Sequence, residues 1–150
     1  MTLVDEAFDG PSAAALIAEV QQEYVVRYGG PDDAPVDAAE FGAERGGAFL
    51  VASAGGVPVG CVGLRRHDET AAEIKRMYVR SAHRRTGLGR VLLRAAEERA
   101  RSLGYSRVLL ETGTRQPEAI ALYTADGYLP LSGFGHYDGY PGSRAFAKDL

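Results

Sequence analysis

The stretch Ala72–Leu93, "AEIKRMYVRSAHRRTGLGRVLL", decides the fold. Its first part, with Ala71 in front, reads as a β-strand. Ile74, Arg76 and Tyr78 alternate with Glu73, Lys75, Met77 and Val79. From Leu88 the period becomes helical. Leu88, Val91, Leu92, Ala95, Ala96, Ala100 and Leu103 form one stripe, with Arg90, Arg94, Glu97, Glu98 and Arg101 opposite and Gly104 closing the helix. Between strand and helix, Arg84, Arg85 and Arg90 surround Gly87 and Gly89. A helix N-terminus offers unpaired N–H groups, glycines allow close backbone approach, and arginines add charge-assisted bonds. Such a turn suits a pyrophosphate. A P-loop is excluded, because no Gly-Lys-Ser/Thr follows. A dinucleotide fingerprint lacks its third glycine. From the turn alone, a solvated surface loop stays open as an alternative.

Upstream, "AFLVASAGGVPVGCVGLR" (Ala48–Arg65) predicts a hairpin turning at Gly55-Gly56. Before it lie a short strand within Leu3–Phe8 and a helix over "GPSAAALIAEVQQEYVVRY", which Ser12 can cap. A breaker loop, "GGPDDAPVD", and a short helix over Ala38–Arg45 follow. Downstream, "SRVLLET" predicts a buried central strand. "QPEAIALYTADGY" predicts a helix with proline at its start and glycine at its end, and the tail holds one or two last strands.

At 150 residues, one domain spanning 1–150 is the simplest organisation. A net charge of -3 argues against a general nucleic-acid binder. No apolar run is long enough to span a membrane, and Met1–Gly10 lacks the pattern of a secretory signal. Cys61 is the only cysteine, which fits a cytoplasmic location, and is read as a small core residue. The three histidines lack ligand spacing, so no metal site is expected.

With its neighbours, the opening stretch resembles motif A of the GNAT superfamily of acyl-CoA-dependent N-acetyltransferases. Arg84-x-x-Gly87-x-Gly89 matches the motif's turn. "VLLETGTRQPEAIALYTADGY" looks like motif B, with the Ala119-x-x-x-Tyr123-x-x-x-Gly127-Tyr128 spacing. The resemblance covers roughly Ala48 to the C-terminus. It implies an α/β fold of the GNAT type: a mixed, mostly antiparallel sheet, splayed at the motif A strand and flanked by about four helices.

The resemblance also implies acetyl-CoA as acyl donor. Arg84, Arg85, Thr86, Gly87, Leu88, Gly89 and Arg90 would hold its pyrophosphate, and the backbone of Met77, Tyr78 and Val79 its pantetheine. Ala119 belongs to the same surface, as does Gln116, which stands where many members have asparagine. Tyr123 would protonate the leaving thiolate. Glu73 sits where some members carry their catalytic base, and Glu111 is its rival. The alternative for Glu73 is a carboxylate paired with Lys75 or Arg76. In the family, the acceptor pocket is walled by the loop after the first helix and by the C-terminal hairpin. Here these carry Asp32, Asp33, Asp37 and Glu40, and His136, Tyr137, Asp138 and Tyr140. Acidic and aromatic groups would suit a small cationic amine. The expected activity is direct acetyl transfer to a primary amine of a small molecule or peptide. A catalytically silent acyl-CoA sensor on the same fold is the alternative. A homodimer is the family's default, with no nucleic-acid or membrane partner.

Overall fold

The computed structural model describes residues 1–150. The elements run β1 (Thr2–Asp5), α1 (Pro11–Tyr28), β2 (Ala48–Ala54), β3 (Val57–Arg66), β4 (Ala71–Val79), α2 (Leu88–Ser102), β5 (Arg107–Gly113), α3 (Pro117–Ala125), β6 (Leu129–Leu131) and β7 (Ser143–Asp149). The strands form one seven-stranded sheet in the order β1-β2-β3-β4-β5-β7-β6. Only β4 and β5 run parallel; every other pairing is antiparallel. This is the expected mixed α/β sheet with three α-helices rather than four. The segment expected as a short helix forms two 3₁₀ turns, Ala38–Phe41 and Ala43–Arg45.

The main core lies between the sheet and α2. Leu88, Leu92, Leu93, Ala96 and Ala100 pack on Val62, Leu64, Ile74, Val108 and Leu110. A second cluster joins α1 to the other sheet face through Ala13, Leu16, Phe41, Phe49, Val51 and Cys61. Cys61 is buried there, and burial pushes its thiol up to about 12, which keeps it an inert thiol at neutral pH.

Three local expectations change. Ser12 does not cap α1: the cap position is Gly10, Pro11 opens the helix, and Glu6 accepts the Ala13 N–H instead. Along the expected α2 stripe, Val91 and the cap residue Leu103 are exposed, while Glu97 on the opposite face is buried. Glu97 turns inward because it accepts from the Tyr128 hydroxyl at 2.8 Å and from Lys148 Nζ at 3.1 Å. The third change is in β4, whose strict alternation breaks at Arg76. That residue has φ 57°, and the β3 register shifts between Cys61 and Gly63. A bulge places consecutive side chains on one side, so Lys75 and Arg76 both reach towards α1 and its following loop.

Candidate active site

The strand order sets up an opening. β4 and β5 pair only over Ala71–Ile74 and Arg107–Leu110. Beyond those residues β4 runs on to Val79 and β5 to Gly113 without pairing each other, while β5 stays on β7 along its whole length. The strands therefore part at the C-terminal end of β4. A narrow slot fills the gap, lined by Ile74, Met77, Leu110, Glu111 and Tyr123 among others. On the α1 side the slot meets a cleft of about 410 Å³, walled by Tyr24, Tyr28, Tyr137 and Tyr140. Lys75, Glu111, Asp32 and Gln116 line both spaces.

Beyond the slot, β4 leads into the arginine-glycine turn. Gly87 takes φ 84° at the cap of α2, a conformation that disfavours side chains with a Cβ. The first N–H groups of α2 have no partner within the helix. The three arginines divide. Arg84 donates to the Val79 carbonyl at 2.9 Å and to the Glu23 carboxylate at 2.9 Å, with its guanidinium over the Tyr78 ring. Arg90 pairs with Asp126 at 2.8 Å. Arg85 is exposed, holds φ 62°, and has no ion pair. The Thr86 hydroxyl donates to the His83 carbonyl at 2.6 Å and closes the turn. The N–H of Arg80 donates to the Val59 carbonyl, so the ladder's alternation turns the peptide groups of Val79 away from β3 and towards the splay.

Glu111 sits where the strands part. Its carboxylate accepts the backbone N–H groups of His136 and Tyr137, each at 3.1 Å. A glycine is needed for this approach: a Cβ on Gly135, which has φ 101°, would lie 2.0 Å from the Glu111 carboxyl carbon. Burial raises the Glu111 pKa, and the two N–H groups and Lys75 only partly offset it. Glu73 lies outside both spaces, although its charge also helps to raise the Glu111 pKa. It is 5% exposed and accepts from Arg65 Nε at 2.8 Å. Its partner is thus Arg65, directly opposite on β3, and not Lys75 or Arg76.

Lys75 and Arg76 are held by Asp32. Lys75 Nζ donates to it at 3.0 Å, and Arg76 forms a second bond to the same oxygen. Gln21 fixes the Asp32 backbone through its N–H (2.8 Å) and carbonyl (3.0 Å). The Tyr137 hydroxyl lies 2.7 Å from the other Asp32 oxygen. Burial alone would raise this carboxyl. Lys75, the Ala34 N–H, Arg76 and Tyr137 outweigh burial and hold it far below the usual aspartate range. The loop aspartate expected to attract a cationic amine is therefore already neutralised.

Tyr123 is 6% exposed and packs near Tyr128 and Phe146. Burial alone raises its pKa, so the phenol keeps its proton at neutral pH. The Gln116 side chain accepts from the hydroxyls of Tyr28 (3.0 Å) and Thr112 (3.3 Å), tying α1 to the start of α3. Ala119 packs against the main core and lines neither space. His136 lines neither space; its Nε2 lies 3.3 Å from Asp33, which does line the cleft.

The profile of the acetyltransferase (GNAT) family matches residues 14–128. The chain belongs to this family. An IAA acetyltransferase of Azospirillum brasilense is 41% identical over 103 residues, 68% of this chain and 67% of that protein. The human N-acetyltransferase 8 is 41% identical over 90 residues, 57% of this chain but only 40% of that protein. A solved Klebsiella pneumoniae structure assigned to the acyl-CoA N-acyltransferases superposes with TM-score 0.82 at 33% identity, covering 99% of this chain and 97% of that one. A GNAT family acetyltransferase from Elizabethkingia anophelis, solved with acetyl-CoA bound, shares the fold at TM-score 0.70 and 18% identity, over 99% of this chain and 97% of that one.

As a GNAT acyltransferase, the chain brings Met77, Glu111, Gln116 and Tyr123 to one slot and leaves Glu73 outside it. His136 and Tyr137 hold Glu111 through their backbones. Sequence reasoning missed Lys75, Tyr24 and Tyr28 as lining groups. One signal was available. A tight β3–β4 turn at "HDET" sets Arg65 against Glu73, which consigns Glu73 to an ion pair.

Proposed function

We propose that this protein transfers an acetyl group from acetyl-CoA directly to the amine of a small molecule. The observation that carries this reading is the slot. It joins a carboxylate with a raised pKa, Glu111, to a protonated phenol, Tyr123. An amine must lose a proton to attack and the departing thiolate must gain one, so these are the two groups the reaction needs.

The donor's pyrophosphate rests on the N–H groups at the start of α2, with Arg85 supplying the available cation. Thr86, Leu88 and Gly89 shape this arm, while Arg84 and Arg90 hold its geometry through Glu23, Val79 and Asp126. The pantetheine follows the β4 end at Met77, Tyr78 and Val79, and brings the thioester to the slot. Glu111, directly or through a water, takes the amine's proton as the nitrogen attacks the thioester carbonyl. The carbon–sulfur bond then breaks, and Tyr123 gives its proton to the sulfur. Glu73, bound by Arg65, supports the β3–β4 wall.

Replacing Arg85 by alanine should weaken CoA binding about fivefold at low salt, the scale of an exposed ion pair, and by far less at high salt. Arg84→Ala should weaken it with little salt dependence, because that side chain acts by holding the turn. Calorimetric titrations at two salt concentrations check both. Equal salt slopes for wild type and Arg85→Ala would exclude Arg85 from the phosphate contact.

Tyr123→Phe should lower kcat about a hundredfold while the affinity for CoA holds. A thiolate is already a fair leaving group, which puts the effect at the low end of general-acid catalysis. Steady-state kinetics with calorimetry reads this, and equal losses in kcat and CoA affinity would reduce Tyr123 to a packing residue.

A further inference from the structure

The meeting point of slot and cleft holds two opposite charges that do not pair. Lys75 and Glu111 are the next residues beyond the last ladder pair, Ile74 and Leu110, one on each parting strand. Lys75 lowers the Glu111 pKa through its charge. Its only ion pair, however, is with Asp32 at 3.0 Å, and Glu111 receives backbone N–H groups. A lysine ammonium has three donors, and Asp32 takes one. Lys75 lines both spaces, with its side chain only 7% exposed. Asp32 is saturated by Lys75, Arg76, Ala34 and Tyr137. At this meeting point Lys75 and Glu111 stand as a cation and an anion on the two parting strands, while Arg76, which also lines the slot, is held by Asp32, and Asp33, on the cleft wall, accepts from the Tyr137 hydroxyl.

We infer that the acceptor is an α-amino acid with an aromatic side chain. Its amine lies at Glu111, its carboxylate on Lys75, and its side chain against Tyr24, Tyr28 and Tyr140. This assignment rests on the transfer reading above. A polyamine fits less well, because a second ammonium would face Lys75, Asp32 is already matched, and Asp33 on the cleft wall is engaged by the Tyr137 hydroxyl and His136. A peptide N-terminus has an amide where Lys75 calls for an anion. The volume, about 410 Å³, suits a single small molecule.

Three ligands test the inference on the wild-type protein saturated with CoA: L-phenylalanine, phenethylamine and L-phenylalaninamide. Calorimetry should show phenylalanine binding about tenfold to a hundredfold tighter than the other two, the range of a hydrogen bond to a charged group. Lys75→Met should level the three, and Lys75→Arg should keep the order. Equal or tighter binding of phenethylamine or the amide, or no binding of phenylalanine, overturns the inference. The ligand comparison decides even where Lys75→Met fails to fold. Thiol release from acetyl-CoA, followed on the same ligands, separates the two readings. Selective binding of phenylalanine with no release from any amine contradicts transfer and leaves the carboxylate site standing. Release with the amide or phenethylamine at equal kcat/KM removes the carboxylate site and leaves transfer intact.

Discussion

Glu111→Gln should lower kcat/KM by about 10²–10⁴-fold, the usual contribution of a positioned general base. The glutamine keeps the size of the side chain and one acceptor for the His136 and Tyr137 N–H groups, so the fold should persist. The affinity for CoA should be unchanged, because Glu111 is not part of the arginine-glycine turn. The pH profile gives a second readout. Burial raises the Glu111 pKa, and the base works only when ionised. Wild-type kcat/KM should therefore rise with pH through that raised value, and the variant should lose this limb. Glu73→Gln is the control. It removes the charge that pairs with Arg65 and should act on stability more than on rate. A variant pair in which Glu73→Gln folds but abolishes turnover, while Glu111→Gln keeps most of it, would exchange the two roles.

Asp32→Ala should destabilise the protein by about 3–5 kcal/mol, because it leaves buried charges without their counter-ion. The Lys75 and Arg76 side chains are 7% and 3% exposed, and Asp32 is the partner of both. Arg76 also sits at φ 57°, a strained conformation for a residue with a Cβ, and the ion pair holds it there. The loss should appear as a lower midpoint in urea at neutral pH. A pH dependence follows from the depressed Asp32 pKa. Its stabilisation is present above the unfolded-state value of 3.8 and is lost as pH falls below it towards the lower folded-state value. Asp32→Ala should remove that share of the acid sensitivity. A change under about 1 kcal/mol would mean that solvent reaches the two cations despite their burial.

The sheet and its helices were legible because their signals are local. Gly55-Gly56 marked the hairpin, and the two residues take φ 57° and 81°. The stripe from Leu88 to Ala100 marked α2. Where a partner distant in sequence decides, the local signal fails. Glu97 followed the polar face of α2 by period, yet Tyr128 and Lys148, 31 and 51 residues away, draw it inside. Arg76 carries no glycine to announce a bulge. Its partner, Asp32, lies 44 residues back in a loop whose acids looked free to meet a cationic ligand.

The candidate site divides in the same way. Its donor half is a continuous motif and could be read from spelling. Even so, only the structure separates Arg85, which is unpaired, from Arg84 and Arg90, which are bound within the protein. The acceptor half is assembled from α1, the loop after it, β5 and the C-terminal hairpin. Glu111 and Glu73 have the same chemistry, and only strand register tells the one at the splay from the one opposite Arg65.

On the proposed reading, the slot between β4 and β5 is a place of amine acetylation and not only of CoA binding. A free-thiol assay with acetyl-CoA and a panel of amines, with the product followed by mass spectrometry, tests it most directly. The expected result is thiol release that depends on an amine and matches N-acetylated product mole for mole. Tight CoA binding with no amine-dependent release across the whole panel would contradict it and point to a silent acyl-CoA sensor.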